Sequence, residues 1–87
     1  MKIKDGFVMR KIADISIVVP IGESSIDFNG IITLNETAAF LFRQLQSDIS
    51  RATLLEQLID EYDVNKETAK VDVDAFCAQL EEVNLIE

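Results

Sequence analysis

The hydrophobic pattern of this chain changes its period once, near Asn35, and that change limits the fold more than any other feature. Before Asn35, short runs rich in β-branched residues are typical of strands. After Asn35, apolar residues recur at intervals of three and four, the spacing of one helix face. A chain of 87 residues has room for one small core. We therefore expect a single domain over residues 1–87, with strands first and helices after them.

Three strands are predicted in the first part of the chain. Ala13-Asp14 is a predicted tight turn, and Asn29-Gly30 is a turn dipeptide at the end of a polar connection over residues 22–30. Pro20 has no N–H to donate, so it should lie at an edge or at the end of its strand. Short connections favour antiparallel pairing. The predicted strands are residues 7–12, 15–21 and 30–34.

Three helices are predicted in the second part, each beginning at a polar residue that suits an N-cap: Asn35, Ser50 and Asn65. The predicted buried stripes are Ala38, Leu41, Phe42 and Leu45; then Leu54, Leu55, Leu58, Ile59 and Tyr62; then Ala69, Val73, Phe76, Leu80 and Val83. Leu85 and Ile86 are expected to fold back onto the core. The predicted fold class is α+β, with a three-stranded antiparallel sheet followed by three helices (βββααα).

The composition offers little for catalysis. There is no His, and the three glycines are too far apart for a phosphate-binding loop. The one cysteine, Cys77, lies on the flank of the third stripe and is expected to be a partly buried structural thiol. The acids at 60, 61 and 63 do not match the spacing of a calcium loop, and a solvated surface explains them. We expect no catalytic residues, no metal and no cofactor.

The formal net charge of −8 comes entirely from residues 48–87, which carry eleven acidic and three basic side chains. This sign disfavours nucleic acid and anionic membranes as partners. Either the charge keeps the surface soluble, or it attracts a partner with a basic patch. The sequence has no apolar run long enough to span a membrane, so we expect a cytoplasmic protein.

Two features of the pattern are suited to binding another chain. The third strand contains neither charge nor Pro, with Ile32 and Leu34 able to face the core while Ile31 and Thr33 face away. Either a neighbouring strand covers its edge, or the edge can accept another chain. On the third helix, Val71, Ala75 and Ala78 form a small apolar strip opposite the buried stripe. That strip is either an ordinary outer face or a contact surface for a partner or a second copy.

Residues 28–41, and above all the run Leu-Asn-Glu-Thr-Ala at 34–38, resemble the coenzyme PQQ synthesis protein D family. The segments 7–10, 17–20, 58–64 and 72–80 are similar to the family as well, so the resemblance covers nearly the whole chain. The chain departs from the family at 46–50 and at Asn84, where a Gly is frequent, and at Cys77, where a larger aliphatic residue is usual.

The resemblance implies a winged-helix-like fold that recognises the leader of a ribosomally made precursor peptide. It also implies that the peptide passes to a modifying enzyme, often a radical S-adenosylmethionine (SAM) enzyme. The peptide would lie as an added strand beside the third strand and against the third helix. The implied contact residues are Ile31, Ile32, Thr33 and Leu34 on the strand, and Asp72, Ala75, Cys77 and Gln79 on the helix.

Two other functions remain open at this point. A small domain with an open sheet edge can gain stability by forming a homodimer, so a structural or dimerisation module is one alternative. A winged-helix nucleic-acid binder is the other, and the acidic helices disfavour it.

Overall fold

The computed structural model describes residues 1–22 and 31–87. Three antiparallel strands precede three helices, as the sequence predicts. The elements are β1 (Phe7–Ile12), β2 (Ile15–Pro20), β3 (Ile32–Leu34), α1 (Glu36–Gln44), α2 (Arg51–Tyr62) and α3 (Lys66–Glu82). The predicted turn at Asn29-Gly30 and the first residue of the predicted third strand lie outside the described residues. β2 ends at Pro20, as expected for a residue that cannot continue the ladder.

The sheet has the order β1-β2-β3, so β2 is the central strand. Val18 lies opposite Met9 of β1 and Ile32 of β3. Residues that lie opposite each other share one face of a sheet. Val18, Ile32 and Leu34 are buried, and Met9 packs against the core cluster. This face of the sheet is therefore the core side, and the residues between them point to the opposite, outer side.

All three predicted N-caps are confirmed. The side-chain oxygens of Asn35, Ser50 and Asn65 accept hydrogen bonds from the backbone N–H three residues ahead, at 2.8, 3.1 and 2.8 Å. An N-cap of this kind satisfies a donor that the first helical turn leaves without a partner. Each cap therefore fixes where its helix begins, and Asn35 starts α1 directly after β3.

The first helix is buried on more sides than its predicted stripe implies. Ala39 and Phe40 are buried as well as Leu41 and Phe42. The reason is that α1 contacts β3, α2 and α3, and one apolar face is not wide enough to pack against all three. α1 is thus the central helix of the fold.

The third helix shows one error in the prediction. Val83 was expected on the buried stripe, but its side chain is 36% exposed. α3 ends at Glu82, and Val83 is the C-cap residue beyond the last helical turn. The helical period no longer sets the direction of its side chain. The rest of that stripe, Ala69 to Leu80, is buried as predicted.

The two ends of the described chain lie side by side. Ile3 forms an antiparallel bridge with Ile86, and its N–H donates to the carbonyl of Leu45 at 2.9 Å. Lys4 N–H donates to the carbonyl of Leu85 at 2.8 Å. Leu85 is fully buried, which confirms that this part of the chain folds back onto the core. Ile3 is also buried, and this contact was not predicted from the sequence.

Among the residues described, no helix combines the length and apolar character that crossing a membrane requires.

Replacing Ile3 by Ala should reduce the free energy of unfolding by about 2–4 kcal/mol, because it removes a buried side chain from between α1 and the chain end. Chemical denaturation followed by circular dichroism measures this change. Lys2→Ala is the matched control, since Lys2 contributes its backbone carbonyl to Glu87 and keeps it in the variant. Equal stabilities of the two variants would contradict the role given to Ile3.

Candidate functional site

In the described ranges 1–22 and 31–87, β3 is paired along one edge, by β2, and not along the other. Ile21 N–H donates to the carbonyl of Gly6, on the β1 side, at 2.8 Å. Successive residues of an antiparallel strand bond to opposite sides, so Val18 and Ser16 point their backbone groups towards β3. Their partners are Ile32 and Leu34. The backbone N–H and C=O of Thr33 must therefore point to the other edge of β3.

Within residues 1–22 and 31–87, no strand pairs with that other edge of β3. β3 has no charge and no Pro to prevent pairing. Thr33 is thus an exposed donor and acceptor pair on a strand that can accept a further strand.

A groove lies between α1 and α3, on the core side of the sheet. It has a volume of about 190 Å³ and is lined by Asn35, Thr37, Ala38, Leu41, Asp72, Ala75, Phe76 and Gln79. Leu41 and Phe76 are nearly fully buried and form its floor. Cavities of about 150 Å³ with apolar walls hold molecules the size of benzene, so this groove has room for an apolar side chain.

The groove begins where β3 ends. Asn35 follows Leu34 directly, caps α1 and also lines the groove. A strand added to the free edge of β3 would place alternate side chains on the core side, about 7 Å apart. The first helix, α1, contacts β3 on that side of the sheet. The outward edge of β3 and the groove therefore lie next to each other at the junction of Leu34 and Asn35.

The predicted site residues fall into groups with different positions in the structure. Thr33 and Ile31 are exposed, and Ile31 is 63% accessible. Asp72, Ala75 and Gln79 line the groove. The side chains of the other two strand residues, Ile32 and Leu34, are buried in the core. Only their backbone could take part in a site at this edge.

Cys77 lies apart from the other predicted site residues. Its side chain is fully buried, rather than partly buried as expected, and its sulfur lies 3.7 Å from the Sδ of Met1. Burial raises the pKa of the Cys77 thiol, and the nearby Arg51 opposes this shift. The side chain faces the interior, so it does not line the groove. The sequence pattern underestimated its burial, since Cys77 belongs to the core cluster and also contacts Met1, which is distant in the chain.

The α1 side of the groove was not predicted. Asn35, Thr37 and Ala38 face α3 only because the two helices pack together. A signal for the α3 side was present, since residues 72, 75, 76 and 79 share one helix face by their spacing. A single sequence contains no comparable signal to show that this face of α3 packs beside the start of α1.

The two neighbouring acids of α3, Asp72 and Asp74, point to opposite sides of the helix. Asp72 lines the groove, whereas Asp74 forms ion pairs with Lys70 at 2.7 Å and with Arg51 of α2 at 3.2 Å. The hydrogen bond from Lys70, helped by Arg51, lowers the pKa of Asp74. Of the outward strip on α3, Val71, Ala75 and Ala78 are all exposed, and Ala75 is the member that lines the groove.

In the described part of the chain, no three His, Cys, Asp or Glu side chains come close enough together to hold a metal ion. The carboxylate of the groove is that of Asp72 alone. The site therefore offers the backbone edge of β3 and the apolar floor of the groove, and both can bind another chain.

The buried state of Cys77 gives a direct prediction. In the folded protein Cys77 should react with a thiol reagent such as dithionitrobenzoate at least tenfold more slowly than after unfolding in denaturant, since the reactive thiolate is both inaccessible and disfavoured. The double variant Cys77→Ala with Ala75→Cys moves the thiol into the open groove and should react rapidly while folded. Rapid reaction of Cys77 itself in the folded protein would contradict its placement.

Comparisons with known proteins give one family and one fold. The family model described as coenzyme PQQ synthesis protein D (PqqD) matches residues 17–86. No curated protein matches the chain in sequence.

Two solved structures share the fold. The first is described as TbiB1 in complex with the TbiA(beta) leader peptide; it is 21% identical, with a TM-score of 0.75, and the match covers 100% of this chain and 95% of that one. The second is described as lasso peptide synthetase B1 complexed with the leader peptide; it is 21% identical, with a TM-score of 0.71, and the match covers 93% and 89%. Because the family match extends from within β2 through β3 and all three helices, this chain belongs to the coenzyme PQQ synthesis protein D family.

Proposed function

We propose that this protein binds the leader segment of a ribosomally made precursor peptide and presents it to the enzyme that modifies the peptide. The observation that carries the proposal is the unpaired edge of β3 beside the groove between α1 and α3. Family membership supports it. So do the two proteins of the same fold, which are described as complexes with leader peptides.

Binding follows from the backbone of β3. A leader segment in extended form adds a fourth strand, exchanging hydrogen bonds with the N–H and C=O of Thr33 and of Ile31, two residues earlier. Backbone pairing of this kind gives affinity with little dependence on sequence. Selectivity must therefore come from the side chains that the added strand places on the core side.

The groove accepts a particular kind of side chain. The small Ala38 and Ala75 leave space above Leu41 and Phe76, so an aliphatic or aromatic side chain fits there. Asp72 is the charged residue of the lining and favours a basic residue nearby in the peptide. A leader that alternates an apolar residue with a polar or basic one meets both conditions.

The chemistry belongs to a partner in this proposal. The chain has no His, and its described site offers no activated nucleophile or base. Residues 1–87 act as one recognition domain that hands the peptide to a modifying enzyme, such as a radical SAM enzyme. Precursor and protein would meet in the cytoplasm, where such peptides are synthesised.

The competing function, a dimerisation module, can be tested at the same edge of β3. A second copy could pair with β3 and form a homodimer, in which case the edge would be occupied without any peptide. Sedimentation of the protein alone distinguishes the two, since the proposal expects a monomer that accepts the leader.

Thr33→Pro should weaken leader binding at least tenfold. The Pro ring removes the outward N–H and occupies its place, while the β2–β3 hydrogen bonds of Ile32 and Leu34 remain. Fluorescence anisotropy measures the affinity for a labelled synthetic leader peptide in which apolar residues alternate with basic or polar ones.

The matched control for this change is Thr33→Val, which keeps the N–H and the β-branched shape and should bind within about twofold of the parent. Both variants should show the parent's circular dichroism spectrum. Equal affinity of the Pro and Val variants would contradict pairing at this edge.

Ala75→Phe should also reduce leader affinity at least tenfold, because the ring fills the groove above Phe76. Ala78→Phe is its control: Ala78 is exposed on the same helix but does not line the groove, so the cost to the helix is similar. If the two variants lost affinity equally, or neither lost any, the groove would not be the binding site.

A further inference from the structure

The outer side of the sheet carries an apolar patch that neither the core nor the candidate peptide site uses. Its side chains come from the alternate positions of β1 and β2: Val8 and Ile12, and Ile15, Ile17 and Val19. Ile12 and Ile15 are 61% and 53% exposed, and they lie opposite each other beside the hairpin turn. We call these five residues the outer patch.

The outer patch is separate from the hydrophobic core. Val8, Ile17 and Val19 are half-buried, yet they do not belong to the core cluster or pack against it. Their neighbours Met9 and Val18 point to the other side of the sheet, where the helices lie. In a sheet with one solvated face, polar residues normally alternate with the buried ones. Among the described residues, these five aliphatic side chains therefore form an apolar surface of the kind that marks a contact with another molecule.

We propose that the outer patch is the docking surface for the peptide-modifying enzyme. This inference rests on the proposed function, since it concerns the partner to which the peptide is presented. The partner surface that fits the outer patch is apolar and carries a carboxylate.

Continuity with the peptide site favours this partner. The outer side of the sheet extends to β3, where Thr33 lies opposite Ile17, and Ile31 precedes β3 with its side chain 63% exposed. A leader paired with β3 would extend the sheet by one strand and place alternate side chains on this same side. A protein that covers the outer patch would therefore contact the bound peptide as well, which is the contact that a modifying enzyme needs.

The charge of the face also fits this partner. Arg10 is the charged residue that the described strands place on the outer side, opposite Ile17, and it forms no ion pair with any other described residue. The acids that give the chain its charge of −8 are in residues 48–87, which form α2 and α3. A carboxylate on the partner, placed opposite Arg10, would form an ion pair with its guanidinium at the edge of the apolar contact.

A second copy of the chain fits the face less well. Two copies meeting through the same face would bring Arg10 and its equivalent together, and the three described strands place no carboxylate there to pair them. Each copy also carries a net charge of −8. Within the patch, Ile12 and Ile15 are the two side chains that are more than half exposed, so its exposed area is smaller than the roughly 800 Å² per partner of a stable interface. A transient contact, strengthened by the peptide, suits that size.

The test compares two affinities on the same protein samples. The double variant Ile12→Thr with Ile15→Thr keeps β-branched residues at exposed positions, so the sheet should be retained. It should bind the purified enzyme that modifies the peptide at least tenfold more weakly, measured by biolayer interferometry with and without leader. It should bind the labelled leader within about twofold of the parent. Arg10→Glu should likewise weaken only enzyme binding.

Val71→Thr is the matched control, because Val71 is an aliphatic residue 67% exposed on α3, away from the sheet. It should leave both affinities unchanged. If the Ile12 and Ile15 variant bound the enzyme as tightly as Val71→Thr does, the docking inference would be wrong even though leader binding stood. If that variant instead converted a dimeric parent to a monomer, the patch would be a self-association surface and the inference would also be wrong.

Failure of the proposed function gives a different result. The parent would then not bind the leader at all, whereas the enzyme-binding measurement without leader would still report on the outer patch.

Discussion

The outward backbone groups of a strand at the edge of a sheet need a hydrogen-bonding partner, and β3 exposes such an edge. The register of β2 determines which groups these are. Its odd-numbered residues bond to β1 and its even-numbered residues to β3, so Ile32 and Leu34 are paired inside the sheet while Thr33 points outward. The Asn35 cap then starts α1 at once and brings the groove to the end of the same strand. Edge and groove are thus adjacent because a three-residue strand leads directly into a capped helix.

Charge is distributed differently over the helices and over the outer side of the sheet. The helices that hold the acidic side chains surround the core from one side, and the groove between α1 and α3 has Asp72 as its charged residue. The outer side of the sheet has aliphatic residues and Arg10. In the proposed function these two regions have different partners: the edge and groove bind the peptide, and the outer patch binds the enzyme that acts on it. A bound leader strand would join the two regions into one surface.

Local signals in the sequence were sufficient for the order and the beginnings of the elements. The caps Asn35, Ser50 and Asn65 act within one helical turn, so a single sequence contains all that is needed to recognise them. Features that depend on distant parts of the chain were missed. Ile3 is buried beside Ile86, and the buried Cys77 lies in contact with Met1. The groove combines a predictable and an unpredictable part. Its α3 side could be predicted from helical spacing, whereas its α1 side depends on how the two helices pack.

The central claim is that the outward edge of β3 receives the leader as an added strand. Amide hydrogen exchange of the uniformly labelled protein, followed by nuclear magnetic resonance with and without a saturating synthetic leader, measures this residue by residue. The account predicts that the amide of Thr33 exchanges rapidly in the free protein and at least tenfold more slowly with leader bound. The amides of Ile32 and Leu34, already paired with β2, should change far less. Unchanged exchange at Thr33 in a protein saturated with leader would contradict the account.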